Sequence, residues 1–144
     1  MTQPDVTVTV TRPWNWGIVV LHDDQQPPPE AEPRCPVTAN GNGLVVLVRH
    51  AQDIETPDAG SSNDVLPSGE ASVSVAFWEE APDVVRPGYV QYEGNISTPS
   101  GRLSIGDADH EVWVASPTTA MTVRVTAADV EFGTEYAWID FYPK

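Results

Sequence analysis

The sequence predicts an all-β protein, an antiparallel β-sandwich of about eight or nine strands with two long loops. Three observations predict it. Valine is the commonest residue and threonine is abundant, whereas leucine is scarce; β-branched side chains suit a pleated surface and lose rotamer freedom in a helix. Apolar and polar residues repeat with a period of two. The 14 prolines and 10 glycines cut the chain into pieces too short for ordinary helices.

Each element follows in order. Val6, Val8 and Val10 alternate with Thr7, Thr9 and Thr11, a strand with one buried face. Trp16 to His22 is a second, more uniformly apolar strand. Residues 23–43 carry Pro27-Pro28-Pro29, Pro33 and Pro36 and end in Gly41-Asn42-Gly43, which predicts a long loop of extended polyproline character. Leu44 to His50 is a strand buried on both faces, or a central one. Residues 52–69 are acidic and rich in Gly, Ser, Asn and Pro, a second long loop. Val73, Val75 and Phe77 alternate with Ser72, Ser74 and Ala76 as a fourth strand. Tyr89 to Ile96, Arg102 to Ile105, His110 to Ala115, Met121 to Thr126 and Glu135 to Tyr142 complete the set, with one helical turn expected over residues 127–131. No repeat or composition break divides the 144 residues, so a single domain, 1–144, is expected.

Charge narrows the function. Seven basic residues face 21 acidic ones, a formal net charge of −14. Such a charge disfavours direct contact with nucleic acid or an anionic membrane and favours a basic protein partner. The start, Met1-Thr2-Gln3-Pro4-Asp5, has no basic stretch and no apolar core of a secretory signal, so a cytoplasmic location is expected. Cys35 is the single cysteine, which removes an internal disulfide and any cysteine-based zinc site.

Side-chain parity selects the candidate contact residues. With Val112 and Val114 pointing inward, Asp109, Glu111 and Trp113 point outward together. With Ala137, Ile139 and Phe141 inward, Tyr136, Trp138, Asp140 and Tyr142 point outward. Trp78 shares a face with Ser72, Ser74 and Ala76. Large aromatics beside carboxylates are frequent interface anchors. Asp107, Asp109, Glu111, Trp113, Tyr136, Trp138 and Asp140 are therefore the expected partner-binding residues. The competing expectation is that a bulge, or the 23–43 loop, covers these faces.

No motif commits the chain to catalysis, and no cofactor is expected. Leu44 to His50 resembles the strand-plus-Arg-His opening of histidine phosphatases, but Ala51 stands in place of the usual glycine and no second catalytic histidine follows in the right context. Asp107, Asp109 and Glu111 are spaced like a hard-cation loop, with Asp53, Glu55 or Asp58 as further ligands, yet Thr118 stands where an EF-hand needs glutamate. A solvated acidic turn is the favoured account of that spacing. There is no nucleophile elbow, and Cys35, between Arg34 and Pro36, has no neighbouring histidine.

The C-terminal half carries a resemblance. Tyr89-Val90-Gln91-Tyr92-Glu93-Gly94, Ser100-Gly101-Arg102-Leu103-Ser104-Ile105, Met121-Thr122-Val123-Arg124-Val125 and Tyr136-Ala137-Trp138-Ile139-Asp140-Phe141-Tyr142-Pro143 follow a rhythm of strands and turns. It resembles that of the small acidic β-proteins related to competence protein J, the inhibitor of a DNA-entry nuclease. The resemblance implies a cytoplasmic, non-catalytic protein that binds and silences a nuclease or toxin, and it carries over no particular residue. The alternatives are a carbohydrate-type binding module, since exposed Trp and Tyr also stack on sugars, and a structural subunit of a larger assembly. The same outward aromatics would also serve a homodimer seam.

Overall fold

Ten strands build two five-stranded sheets packed face to face in the computed structural model, which describes residues 3–32, 34–51, 69–108, 110–129 and 133–143. The strands are β1 (Val6–Pro13), β2 (Ile18–Asp23), β3 (Val37–Asn40), β4 (Gly43–Leu47), β5 (Glu70–Phe77), β6 (Tyr89–Ser97), β7 (Arg102–Gly106), β8 (Glu111–Ala115), β9 (Ala120–Ala127) and β10 (Tyr136–Pro143). The first sheet runs β1-β5-β10-β9-β6 and the second β3-β4-β2-β7-β8. The predicted sandwich is the observed one.

Three details differ from expectation. β3 lies inside the stretch read as one long loop. It turns back through Gly41-Asn42 and pairs antiparallel with β4, Asn40 opposite Gly43. The proline run masked this hairpin, although Gly-Asn-Gly is a strong turn signal. The central strand β4 ends at Leu47, and the helical turn expected at 127–131 is not formed at its described residues: Ala127 ends β9, Ala128 and Asp129 are irregular, and 130–131 lie outside the described residues. Finally, β10 pairs with β5 in parallel while every other ladder is antiparallel. The predicted 52–69 loop lies outside the described residues except for Gly69.

The inward faces form one apolar core. Val19 and Leu21, Leu44 and Val46, and Leu103 and Ile105 come from the second sheet. Val73, Val75, Phe77, Val123, Val125, Ile139 and Phe141 come from the first. Phe77 and Phe141 stack with ring centroids 5.2 Å apart. Trp14, fully buried past the end of β1, donates its indole N–H to the Ala71 carbonyl at 3.0 Å. A bulge between Val90 and Tyr92 shifts the β6 register. It turns Tyr92 toward the core and sets Glu93 opposite Arg124 on the outer face. Gly88, at φ 150°, lets β6 start against β9, where an added Cβ would run into the Ala127 carbonyl.

The outer faces are covered unequally. Pro28 of the proline-rich stretch borders one cavity with half-buried Ile18 and Val20 on the second sheet. The outer face of the first sheet is instead reached by the segment between β5 and β6, residues 78–88, through Arg86. The 23–43 stretch thus reaches the second sheet beside β2, and Glu111 and Trp113 of β8 remain exposed.

Candidate functional site

Pairing across the first sheet lays its outer residues in rows. Thr9, Ser74, Trp138, Thr126 and Val90 form one row, and Thr7, Ala76, Asp140, Arg124 and Glu93 the next. Tyr136 and Trp138 stack with centroids 4.4 Å apart and are half-buried. The β1 side is polar: Thr9 and Ser74 hydroxyls bond at 2.7 Å, as do those of Thr11 and Ser72. The β6 side is apolar and open. Val85 is 91% exposed and Val90 60%, with Val84 and Tyr89 beside them. These four escaped the sequence reading because they lie outside any alternating strand pattern or next to the bulge.

Asp140 shares this face but is 2% exposed. It accepts the Trp78 indole N–H at 2.9 Å and two bonds from Arg86, Nη2 at 2.9 Å and Nε at 3.3 Å. Its charge is engaged within the fold. Tyr142 is likewise covered; its hydroxyl donates to Glu93 at 3.0 Å, and burial together with Glu93 pushes the phenol's pKa up.

The second predicted group lies on the other sheet, so the seven residues do not form one patch. Asp107, just past β7, is turned into the molecule and pairs with Arg12 at 2.6 Å, bridging the two sheets at their β1–β8 edge. Glu111 is exposed and accepts a bond from Ser104 at 2.7 Å. Trp113 is 55% exposed, with the Arg102 guanidinium 4.3 Å from its ring centre. Asp109 lies outside the described residues, as do Asp53, Glu55 and Asp58 of the cation-site expectation. No group of three or more metal-ligating side chains occurs among the described residues.

One motif unites these places. An arginine sits between an aromatic ring and a carboxylate at four positions: Trp14–Arg12–Asp107, Trp78–Arg86–Asp140, Trp113–Arg102–Asp24 and Tyr142–Arg124–Glu93. Arg49 pairs with Glu135 at 3.1 Å. These ring–carboxylate pairings are not the ones that strand parity groups: the carboxylate that shares an arginine with Trp113 is Asp24, and the ring that shares one with Asp140 is Trp78. Five of the seven basic residues are therefore held in pairs, and surplus negative charge is displayed by other carboxylates, among them exposed Glu79, Glu80 and Asp5. Paired exposed charges add little stability each, but their arrangement decides the sign of the surface field.

The remaining titratable groups serve the fold. Arg49 and His50, the pair of the phosphatase resemblance, sit where the chain leaves β4 and bridges to Trp14. His22 Nδ1 lies 2.7 Å from the Asp23 carbonyl and 2.9 Å from that of Gln26, positions that require this nitrogen to donate. Cys35 is half-buried; burial and the adjacent Glu32 carboxylate push its thiol's pKa up, which makes it a poor nucleophile. No helix among the described residues is long and apolar enough to cross a membrane.

Comparison with solved structures adds the decisive fact about architecture. The crystal structure of ComJ, inhibitor of the DNA degrading activity of NucA, from Bacillus subtilis, superposes with a TM-score of 0.63. The alignment covers 100% of this chain and 99% of ComJ at 7% identity. The chain has the ComJ fold. The resemblance seen in the C-terminal half thus extends, as fold, over its whole length. A second solved structure, crocagin biosynthetic gene J, matches with a TM-score of 0.58 and 12% identity over 96% of this chain and 97% of that one. At such identities the ComJ-like fold is what is shared. No family model matches the chain and no curated protein matches it in sequence.

Proposed function

We propose that this protein is a non-catalytic, cytoplasmic acidic binder that neutralises a basic protein partner of nuclease or toxin type. The observation that carries the reading is the charge arrangement. Arg12, Arg49, Arg86, Arg102 and Arg124 are each held by a carboxylate, so in a chain of formal net charge −14 the acidic surplus falls to other carboxylates, among them exposed Asp5, Glu79, Glu80 and, beside exposed Trp113, Glu111. Such a surface steers a cationic partner into encounter, and the aromatics hold it. The inhibitory role of ComJ, which shares the fold, supports this reading, although one fold serves many functions. Of the residues selected by parity, we place Trp113, Glu111 and Asp109 at the contact; Tyr136 and Trp138, on the outer face of the other sheet, belong to a separate surface. Asp107 and Asp140 act by holding arginines.

The test is capture of partners on the immobilised protein at low and moderate salt, followed by assay of the captured protein's DNA-degrading or toxic activity with and without added protein. A basic partner, retained best at low salt and inhibited at stoichiometric addition, is expected. Recovery of the bait alone at both salts sinks the proposal. Trp113→Ala is expected to raise the partner's off-rate about tenfold, the effect of losing one anchoring aromatic. Glu111→Gln should mainly lower the on-rate and flatten its salt dependence. Surface plasmon resonance separates the two rates, and unchanged kinetics in both variants would remove β8 from the interface.

A further inference from the structure

We propose that a pocket at the end of the sandwich receives one cationic side chain, arginine or lysine, of the basic partner; the inference rests on the function proposed above and assigns it a receptor on a part of the surface outside the seven predicted residues. The pocket measures about 240 Å³, below the roughly 300–1,000 Å³ of pockets that enclose whole small molecules. Buried Trp78, Tyr142, Met121 and Phe141 line it, with exposed Asp5 and Glu79 at its rim. Backbone bonds fix the rim in place: Asp5 N–H donates to the Phe77 carbonyl at 2.8 Å, and Trp78 N–H to the Phe141 carbonyl at 2.8 Å.

Each part suits one part of such a side chain. Ring faces attract a cation, carboxylates bond its N–H groups, and an apolar lining accepts the methylene stem. The two arginines nearest the rings, Arg86 by Trp78 and Arg124 by Tyr142, are neutralised by Asp140 and Glu93. Among the described residues no arginine pairs with Asp5 or Glu79, so the rim keeps its negative charge. Phosphate and other anions are excluded by that same rim.

The experiment titrates the full ¹⁵N-labelled chain with the blocked peptide acetyl-Gly-Arg-Gly-Arg-Gly-amide and follows the indole N–H resonances. A saturable shift of the Trp78 indole is expected, with none from the glutamate analogue. The pair D5N/E79Q should weaken the peptide's affinity about tenfold. E30Q/E32Q, which removes the same charge from the proline-rich stretch, should leave affinity unchanged. No movement at Trp78, or equal weakening by both pairs, overturns the proposal. Tighter peptide binding by K144Q also overturns it, because the pocket's occupant is then the chain's own lysine. If D5N/E79Q leaves capture of a basic partner intact, the pocket assignment fails and the neutralisation reading stands. If the peptide seats at Trp78 but no partner is captured, the pocket stands and the neutralisation reading fails.

Discussion

Replacing Asp140 by alanine is expected to lower the unfolding free energy by about 3 kcal/mol, within the range for breaking a buried ion pair. Two groups lose their partner at once. The Trp78 indole N–H is left without its acceptor, and the Arg86 guanidinium remains against the sheet with no carboxylate. Arg86 keeps 23% of its side chain exposed, so water offsets part of the loss and the effect falls in the lower half of the range. Asn at this position keeps an acceptor for Trp78 but turns an amide toward Arg86 and should cost less. A paired R86M/D140L replacement, which removes both charges, should recover part of the stability. Urea unfolding with an unchanged slope measures all three. A loss for Asp140→Ala below about 1 kcal/mol, the worth of one ordinary hydrogen bond, would show that this network does not hold the 78–88 segment to the sheet.

Asp23 is the second sensitive point, because it ties the two sheets at their crossover. It is 0% exposed at the end of β2. Its Oδ2 accepts the Ser100 N–H and hydroxyl, each at 2.8 Å, and its Oδ1 accepts the Gln25 N–H at 3.0 Å. Ser100 lies in the turn that carries the chain from β6 in the first sheet to β7 in the second. Burial opposes the carboxylate's charge, but the donors from Ser100 and Gln25, with His22 beside it, outweigh burial and hold its pKa below the usual value. Asp23→Asn is expected to cost about 2–4 kcal/mol at neutral pH, since an amide must face at least one N–H or O–H donor. The sign of the pH dependence follows. The folded pKa lies below the unfolded value of about 3.9, so the contribution is complete above that value and is lost as pH falls through the folded pKa. Stability of the native sequence should therefore drop more steeply in acid than that of Asp23→Asn, and the two curves should converge. Parallel curves from pH 7 into the acid limb would refute the role of the ionised carboxylate.

How much of this was readable beforehand depended on whether the information was local. The alternation of Val6, Val8 and Val10 with threonines fixes both β1 and its buried face, because a period of two is a property of neighbouring residues. The same parity correctly groups Tyr136, Trp138, Asp140 and Tyr142 on one face of β10. It does not tell that Asp140 is buried, because the covering Arg86 lies 54 positions away. β3 was obscured by the prolines around it, and the parallel β5–β10 pairing is a matter of strand order, on which a local pattern is silent. For the candidate site, the ring and the carboxylate that share an arginine are distant in sequence in all four groups, as Trp113 and Asp24 are, so no local pattern reveals them. The arginine that joins each pair usually comes from another strand, as Arg102 of β7 does for Trp113 of β8.

The position of β10 has a consequence for how the chain assembles. It is the last strand in sequence, yet it occupies the middle of the first sheet, hydrogen-bonded to β5 on one side and β9 on the other. Until it arrives, the first sheet is two separate ribbons, β1 with β5 and β6 with β9, each with an open edge and an uncovered apolar face. Such non-local closure is slow compared with the pairing of sequence neighbours. A growing chain on the ribosome thus cannot lay down this sheet strand by strand. Its centre is a keystone, set only after the four strands that flank it have been made.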